Sequence, residues 1–494
     1  MSQTNRYLWK EGTKISIKQL WVIDRFSGGT AESPKEGAKG SFNYGENLDL
    51  TTDLSSLGVN IKTTKDSSTT VTDLPKWIEH DAVNDKTYAY GSDGNFYVES
   101  AGTWSALTAA TTAAGQGMKI WNDYVYLRKT SAVARYGPLS GSASLTQAWQ
   151  SSNVQTINDH APMVEFLGNL YIANGRYLGE WDDSVWTYNA LTLPVGWKIR
   201  SMAVLGENLV MGGWIGSNIY DYEKGFLWIW NGTDTSVTDF LEVNEGGVSS
   251  MHVIDNNLYF IAGAKGKLYV YTGQVIPIRG LTNDLTNSEY LDIFPGAMDS
   301  HEGKLMVGLA GVTDSSAITQ GIYTYGRTSK NYPRALNIEH TISSGTKPGT
   351  TLKIGSIHAV GPNEIYIGWE DTTATNGIDK ISGTSPYTAS IYDSLWFDNG
   401  NAYSIKELDF IKFTFKPLAA NETIDFSYRL DRATAWTALG TASTDDLNEV
   451  VYPITPMKTF KEIQLRVELK TSGSTSPDLL STAVSFSERK SLIL

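Results

Sequence analysis

The sequence predicts an all-β protein: a β-propeller of seven four-stranded blades, with an extended N-terminal arm and a C-terminal β-sandwich or jelly-roll domain. Three observations predict this fold. A hairpin pattern anchored by Met recurs through the middle of the 494-residue chain, short alternating strands that end in Gly follow the hairpins, and Gly (46), Trp (15) and Tyr (26) are abundant. Repeats of this length and composition are typical of propeller blades.

The recurrent hairpin has Met, a turn of Asn, Asp or Gly, and then an apolar and aromatic strand. In five copies the residue seven positions after Met is apolar: Val125, Leu170, Leu209, Leu258 and Leu305. A sixth copy begins at Ile357 with one residue inserted in its turn, and a weaker one begins at Trp77. The copies are roughly 40–60 residues apart, close to the length of one blade. A sandwich or solenoid with chance similarity between its hairpins is the alternative.

The flanking segments differ from the repeats. We expect residues 1–75 to form an N-terminal arm or strands that close the ring, 76–396 to form the propeller, and 397–494 to form a β-sandwich. Segments such as 411–418 (IKFTFKPL), 424–430 (IDFSYRL) and 463–470 (IQLRVELK) alternate apolar and polar residues. This period of two is typical of half-buried strands.

Composition excludes several classes of function. The chain has no Cys, so disulfides, thiolate nucleophiles and Cys-ligated metals are excluded. Its net charge of −13 argues against general binding to nucleic acid phosphates. No apolar run is long enough for a membrane helix, and the first residues, MSQTNR, lack the apolar region of a signal peptide. We therefore expect assembly in a cytoplasm, with no membrane insertion.

The candidate contact site is the loop between the second and third strands of the fourth blade. Such connections lengthen in the fourth, sixth and seventh blades, and equivalent loops lie on one face of a propeller. Loops on a rigid scaffold often carry recognition. The predicted contact residues are Trp214, Tyr220, Asp221, Tyr222 and Glu223. A tolerant surface loop without a function is the alternative.

Histidines recur near the first strand of several blades, at His80, His160, His252, His301 and His358. A ring of imidazoles is one way to hold a metal, but these residues differ in register, which favours structural roles. The sequence also lacks the G-x-S-x-G, H-E-x-x-H and phosphate-loop motifs. We expect no catalytic residues, no metal, no cofactor and no enzymatic activity.

Short phrases of the chain resemble the β-propeller proteins of tailed-bacteriophage virions. They are 266–273 (GKLYVYTG), 226–232 (FLWIWNG) and 26–30 (FSGGT), with 463–470 (IQLRVELK) and 484–489 (VSFSER) in the C-terminal domain. The resemblance implies a structural component of a virion, in the tail or tail tip, assembled in the host cytoplasm. Its implied partners are other virion proteins, in a symmetric homo-oligomer. One alternative is a receptor-recognition protein that binds or degrades a host-surface glycan. A weaker alternative is a cellular scaffold propeller that binds peptides on one face, as repeat-built folds often do.

Overall fold

The coordinates are a computed structural model. It describes residues 5–488 apart from 12–13, 52, 54, 68–70, 109–113, 217–223, 282–290, 312–320, 328–333, 345–351, 362–363 and 373–374. The described residues form 44 β-strands and no helix. In this part of the chain, accordingly, no helix has the length and apolar character needed to cross a membrane. The prediction of an all-β chain is confirmed.

The chain divides into two compact units. Unit 1 contains Met1–Lys62, Thr324–Thr341 and Gly383–Leu494, and unit 2 contains Thr63–Tyr323 and Ile342–Ser382. Unit 1 is thus assembled from both termini and one internal segment. Unit 2 contains the recurrent hairpins.

After a long N-terminal hairpin, the next strands of the chain are only two or three residues long. The first strands of unit 1 are β1 (Asn5–Glu11), β2 (Lys14–Ile23), β3 (Gly29–Thr30), β4 (Ser41–Phe42), β5 (Tyr44–Glu46), β6 (Leu48–Asp49) and β7 (Gly58–Val59). In unit 2 the first strand is β8 (Thr64–Lys65). β1 and β2 form an antiparallel hairpin, whereas β3 and β4 pair in parallel.

Unit 2 continues with five consecutive four-stranded antiparallel sheets, in which each strand pairs with the next. Sheet 1 contains β9 (Pro75–Asp81), β10 (Lys86–Gly91), β11 (Phe96–Ser100) and β12 (Thr103–Thr108). Sheet 2 contains β13 (Gly117–Trp121), β14 (Tyr124–Arg128), β15 (Val133–Gly137) and β16 (Ser144–Gln150). Sheet 3 contains β17 (Met163–Phe166), β18 (Asn169–Asn174), β19 (Tyr177–Trp181) and β20 (Trp186–Thr192).

The last two of these sheets have the same order. Sheet 4 contains β21 (Trp197–Leu205), β22 (Asn208–Ile215), β23 (Gly225–Trp230) and β24 (Asp239–Val243). Sheet 5 contains β25 (Val248–Ile254), β26 (Asn257–Ala262), β27 (Lys267–Tyr271) and β28 (Val275–Gly280). The strand order is the one that the recurrent hairpins predict.

The hairpins form for reasons that are visible in the sequence. Asn122 and Asp123 have φ values of 44° and 68°, which suit the two central residues of a tight hairpin turn. The apolar anchors predicted from the repeat are fully buried, each with 0% exposure: Val125, Leu170, Leu209, Leu258 and Leu305. Burial of these side chains fixes the register, because a shift by one residue would turn them to the opposite face.

The following strands complete unit 2 and lead back to unit 1. They are β29 (Leu291–Asp292), β30 (Met298–His301), β31 (Lys304–Gly308), β32 (Ala310–Gly311), β33 (Ile322–Arg327), β34 (Arg334–His340), β35 (Lys353–Gly361), β36 (Glu364–Thr372), β37 (Thr375–Ile381) and β38 (Ala389–Asp393). Strands β35, β36 and β37 pair in succession, and β8 pairs with β37 at Asp379 and Lys380. A segment from early in the chain therefore supplies the outer strand of a late sheet.

The inner strands of unit 2 contact one another in a closed cycle. The order of contacts is β9, β13, β17, β21, β25, β30, β35 and β9 again. Each of these is the first strand of its hairpin. Side chains at matching heights on these strands therefore lie around one common axis.

The two larger sheets of unit 1 share one core. The remaining strands are β39 (Lys406–Phe415), β40 (Glu422–Leu430), β41 (Thr437–Ala442), β42 (Glu449–Phe460), β43 (Ile463–Thr471) and β44 (Leu479–Glu488). One sheet has the order β1, β2, β44, β39 and β42, and the other has β34, β5, β38, β43, β40 and β41. Both contribute to a single apolar cluster that includes Phe413, Phe426, Leu465 and Val484.

Candidate functional site

Ionisable side chains concentrate where the inner strands of unit 2 begin. Lys76 is the second residue of β9, Asp159 and His160 precede β17, Arg200 lies early in β21, and Asp292 precedes β30. We call these five residues the entrance cluster. Their strands are otherwise rich in buried apolar residues, so charges here require partners or solvent.

Arg200 is the centre of the entrance cluster. Its side chain donates to the Asp159 carboxylate at 2.9 Å and to the Asp292 carboxylate at 2.7 Å. Only 3% of Arg200 is exposed. A guanidinium suits this role because its planar set of N–H donors can serve two carboxylates at once. The pair of contacts ties together segments that are far apart in the sequence.

Asp159 is held in its charged form. Burial acts to raise its pKa, but Arg200, His160 and a backbone hydrogen bond outweigh this effect and lower the pKa to about 2. The carboxylate is therefore ionised throughout the physiological range. An acid of this pKa does not donate protons at neutral pH.

His160 is held in its neutral form. Burial, reinforced by the nearby cations Lys76 and Arg200, lowers the pKa of this imidazole well below its usual value. The ring packs edge-to-face against Phe294 and Trp77, and within the described part of the chain its Nδ1 has no hydrogen-bond partner. His160 therefore contributes an uncharged, packed ring to the entrance cluster.

Lys76 is the cation of the cluster that has no close counter-ion. Among the described residues, no carboxylate oxygen lies within 4 Å of its Nζ, although Asp159 and Asp292 are near enough to act on its pKa. Burial is the larger effect and lowers that pKa. Its ammonium lies 5.5 Å from the centre of the Phe294 ring. An anionic group that approached Lys76 would complete its pairing.

The other end of the inner strands carries further histidines, among them His80, His252 and His358. His80 donates its backbone N–H to Nε2 of His358 at 3.2 Å, and Asp299 lies 3.6 Å from both His252 and His358. Burial lowers the pKa of His252 and of His358. In the described part of the chain, no group of three or more His, Asp or Glu side chains is arranged to hold a metal ion.

The contacts of His252 do not form a proton relay. Its Nε2 lies 3.0 Å from the Ser300 hydroxyl and 3.6 Å from the Asp299 carboxylate. In a catalytic triad the carboxylate and the hydroxyl contact opposite nitrogens of the imidazole. Here both approach the same nitrogen, so the group is suited to hydrogen bonding within the protein.

The structure locates one residue of the predicted contact loop. Trp214 lies in β22 and is 4% exposed, so it is a buried residue at the base of the loop. Lys198 pairs with it in register and places its ammonium 4.1 Å from the ring centre. The other predicted contact residues, Tyr220, Asp221, Tyr222 and Glu223, lie outside the described residues. The role of this loop stays a prediction.

Sequence reasoning missed the entrance cluster. The available signal was a charged residue at the beginning of an apolar inner strand, as with Lys76 before Trp77 or Arg200 before Met202. Arg200 also lies two residues after Lys198, the partner of Trp214, so the cluster is at the end of sheet 4 where the predicted loop begins. The predicted loop and the missed charges therefore occupy the same end of this sheet.

Comparisons with known proteins concern the fold. No family model and no curated protein matches the chain. Similar solved structures include the Swd1 β-propeller domain of Myceliophteria thermophila, with a TM-score of 0.44 and 10% identity, covering 64% of this chain and 99% of that one. U3-55K has a TM-score of 0.45 and 11% identity, covering 65% of this chain and 98% of that one. The RRP9 WD40 repeats have a TM-score of 0.44 and 12% identity, covering 65% of this chain and 99% of that one. Likeness at such low identity does not extend to partners.

These comparisons correct the predicted function. The structures found are β-propeller and WD40-repeat proteins, and those three names describe no virion component. The prediction of a bacteriophage virion component is wrong, and its glycan-binding alternative has no support among these structures. In fold, the chain is an all-β protein similar to solved β-propellers.

Proposed function

We propose that this protein is a non-catalytic protein-interaction scaffold that contains a seven-bladed β-propeller and a β-sandwich, the latter formed by the two chain termini and residues 324–341. The observation that carries the proposal is the entrance cluster, a fixed set of charges at one end of the propeller axis with an incompletely paired cation, Lys76. A protein partner would place an acidic side chain there.

The count of seven blades rests on the cycle of inner strands. Five blades are sheets 1 to 5, the sixth begins with the β30–β31 hairpin, and the seventh contains β35, β36, β37 and β8. Use of β8 in the seventh blade supports a ring closed by the N-terminal segment. The two larger sheets of unit 1 with their shared core support the β-sandwich.

Binding fits the entrance cluster better than catalysis does. Asp159 is permanently ionised and His160 permanently neutral near pH 7, whereas general acid–base catalysis needs groups that exchange protons near the working pH. Arg200 is occupied by two carboxylates. A rigid, charged and partly exposed site of this kind favours recognition of a complementary charge.

Lys76 determines the chemistry of the partner. A carboxylate from an Asp, a Glu or a chain terminus would pair with its ammonium in surroundings of low polarity beside Phe294. Hydrogen bonds to charged groups contribute about 1.5–3 kcal/mol. Loss of one such contact weakens binding by roughly 10-fold to 100-fold.

The test compares Lys76→Gln with Lys86→Gln in affinity capture by the full chain. Lys86 is a matched control because it has the same residue type in the same sheet, at the opposite end of the β9–β10 hairpin. A partner retained by the wild type and by Lys86→Gln, and depleted with Lys76→Gln, is then purified and titrated calorimetrically. We expect the Kd for Lys76→Gln to rise about tenfold or more.

Two results would contradict the proposal. One is a purified partner that binds Lys76→Gln and the wild type with equal affinity. The other is the absence of any partner whose retention differs between Lys76→Gln and Lys86→Gln. Circular dichroism and thermal melting of both variants show whether each remains folded.

A further inference from the structure

A second surface lies at the opposite end of sheets 2 to 5. It consists of the turns between the first and second strands and the connections between the third and fourth strands. We call it the turn face, and its segments are 121–124, 136–144, 166–169, 181–186, 205–208, 229–240, 253–258 and 270–276.

Contacts between neighbouring sheets show that these segments share one end of unit 2. Asn122 in sheet 2 donates to the Asp183 carboxylate of sheet 3 at 2.7 Å. A Cβ atom on Gly232 of sheet 4 would lie 2.6 Å from the Leu167 side chain of sheet 3. Turns of sheets 4 and 5 line one cavity. The turn face is therefore a continuous surface.

The charge of the turn face has one sign. Its segments contain seven acidic residues and no Lys or Arg: Asp123, Asp182, Asp183, Glu207, Asp234, Asp239 and Asp255. Because no cation of these segments offsets the carboxylates, the face attracts positively charged partners and repels nucleic acid.

Large apolar side chains are exposed on the same face. Leu167, Val185, Phe240 and Ile276 are between 44% and 60% exposed. Each belongs to a turn or strand-initiating segment of sheets 3 to 5. Exposed apolar side chains on a surface that also carries charges favour binding of a protein. Isolated exposed residues would need no such explanation.

Leu167 is placed at a conformational cost. Its φ is 50°, in the left-handed region that Gly and Asn adopt readily and Leu rarely does. A Leu that is both strained and 60% exposed gains neither conformational preference nor burial in the free protein. Such an outlier supports a functional role for the exposed side chain.

A cavity lies between sheets 4 and 5 on the turn face. Its volume is about 590 Å³, and its walls include apolar Leu205, Val210, Ile229 and Tyr271 beside acidic Glu207 and Asp255. Among the described residues, neither acidic side chain has a hydrogen bond or an ion pair. Apolar walls with free carboxylates at the rim match a Lys or Arg side chain, whose aliphatic stem packs while its charge stays at the rim.

We propose that the turn face binds a basic, partly apolar segment of a protein partner, with an Arg or Lys side chain in the cavity between Glu207 and Asp255. This inference rests on the proposed function as a protein-interaction scaffold and adds a second site with the opposite charge preference. Apolar residues of the same segment would contact Leu167 and Phe240.

The experiment measures fluorescence anisotropy of labelled peptides with the full-length protein. The probe is a peptide of alternating Arg and Leu, and its counterpart has Gln in place of Arg. The test variant is Glu207→Gln/Asp255→Asn. The matched control is Asp24→Asn/Glu36→Gln, which removes two exposed carboxylates from unit 1. Phe240→Ser tests the apolar contact.

We expect the Arg–Leu peptide to bind the wild type, more weakly as salt is raised. Glu207→Gln/Asp255→Asn should raise the Kd about tenfold, and Asp24→Asn/Glu36→Gln less than about twofold. Phe240→Ser should weaken the Arg–Leu peptide as well. The Gln–Leu peptide should not bind measurably.

Three results would overturn the inference: no binding of the Arg–Leu peptide, equal weakening by the test and control pairs, or calorimetric binding of Ca²⁺ at these carboxylates without binding of the peptide. Lys76→Gln separates this inference from the proposed function. Loss of a partner in Lys76→Gln with no peptide binding at the turn face refutes only the second site.

Discussion

Replacement of Arg200 by Met should destabilise unit 2 locally. Met keeps an unbranched apolar side chain and removes the donors to Asp159 and Asp292, whose oxygens lie 2.9 Å and 2.7 Å from the guanidinium. Both carboxylates then lose their closest counter-charge in a poorly solvated site. Breaking a buried ion pair in this way costs about 3–5 kcal/mol.

The contribution of Asp159 follows from its pKa. A value of about 2, against an ordinary value of 3.8, corresponds to roughly 2.4 kcal/mol. Because 34% of this side chain is exposed, solvent screening reduces the contribution to roughly 1–2 kcal/mol. Loss of the charged hydrogen bond from Arg200 to Asp292 adds about 1.5 kcal/mol or more. The total is about 3 kcal/mol, at the lower end of the range for a buried pair.

Hydrogen exchange followed by mass spectrometry measures this local destabilisation in peptides that contain β17 and β21. In Arg200→Met their opening equilibrium at pH 7 should increase roughly 100-fold. Lys224→Met is the control, because the Lys224–Glu242 pair of sheet 4 is well exposed, at 63% and 41%, and such pairs contribute less than about 1 kcal/mol. Equal exchange in the two variants would refute the role assigned to Arg200.

The same pair predicts a pH dependence. The folded-state pKa of Asp159 lies below its unfolded value, so its stabilisation is complete above about pH 4 and is lost as the pH falls towards 2. Urea unfolding followed by tryptophan fluorescence should show this loss in the wild type. It should be smaller in Arg200→Met, and an unchanged acid dependence would contradict the pairing.

Three further predictions concern other parts of the chain. Burial lowers the pKa of His252 and of His358, so the melting temperature should fall as the pH decreases below about 6.5. The double variant His252→Gln/His358→Gln should show a weaker dependence of the melting temperature on pH. An unchanged dependence would contradict the role assigned to these two histidines. Lys406→Met should destabilise unit 1 by about 3 kcal/mol in urea unfolding, because the buried ammonium donates to the carbonyls of Asn401, Ser404 and Lys461. Lys412→Met, which removes the exposed ion pair with Glu449, should have little effect. Gly179→Ala should lower the melting temperature, because a Cβ atom there would overlap the Trp186 ring. Gly361→Ala should leave the melting temperature unchanged, because its Cβ atom would meet nothing within 4 Å. Equal melting temperatures of the two variants would contradict the packing of Trp186 on Gly179.

Much of the fold is local and could be predicted from the sequence. The anchors Val125 to Leu305 repeat with their turns because each hairpin is specified by short-range alternation and turn residues. The same pattern predicts the four strands of sheets 2 to 5. Strand identity is therefore read directly from the repeat.

Contacts between distant segments were not predicted in the same way. β8 pairs with β37 across more than half of the chain, and residues 324–341 join the unit formed by the two termini. Neither arrangement leaves a periodic signal. Both depend on contacts between segments that are far apart in the sequence.

The residues of the candidate site were also hard to predict from the sequence, because they meet through contacts between distant segments. Trp214 was selected as an aromatic residue in a long loop, but its partner Lys198 covers the ring within sheet 4. Arg200 was overlooked because its carboxylates come from segments 41 and 92 residues away. The local sequence does not reveal which side chains meet around the axis.

The central claim is that a protein partner binds at the entrance cluster. Hydrogen exchange of the full chain, measured with and without the partner purified by capture, tests it most directly. We predict that the partner slows exchange in peptides covering 74–80, 157–161, 197–202 and 291–294. Slowed exchange only in other regions, or unchanged exchange throughout, would contradict the claim.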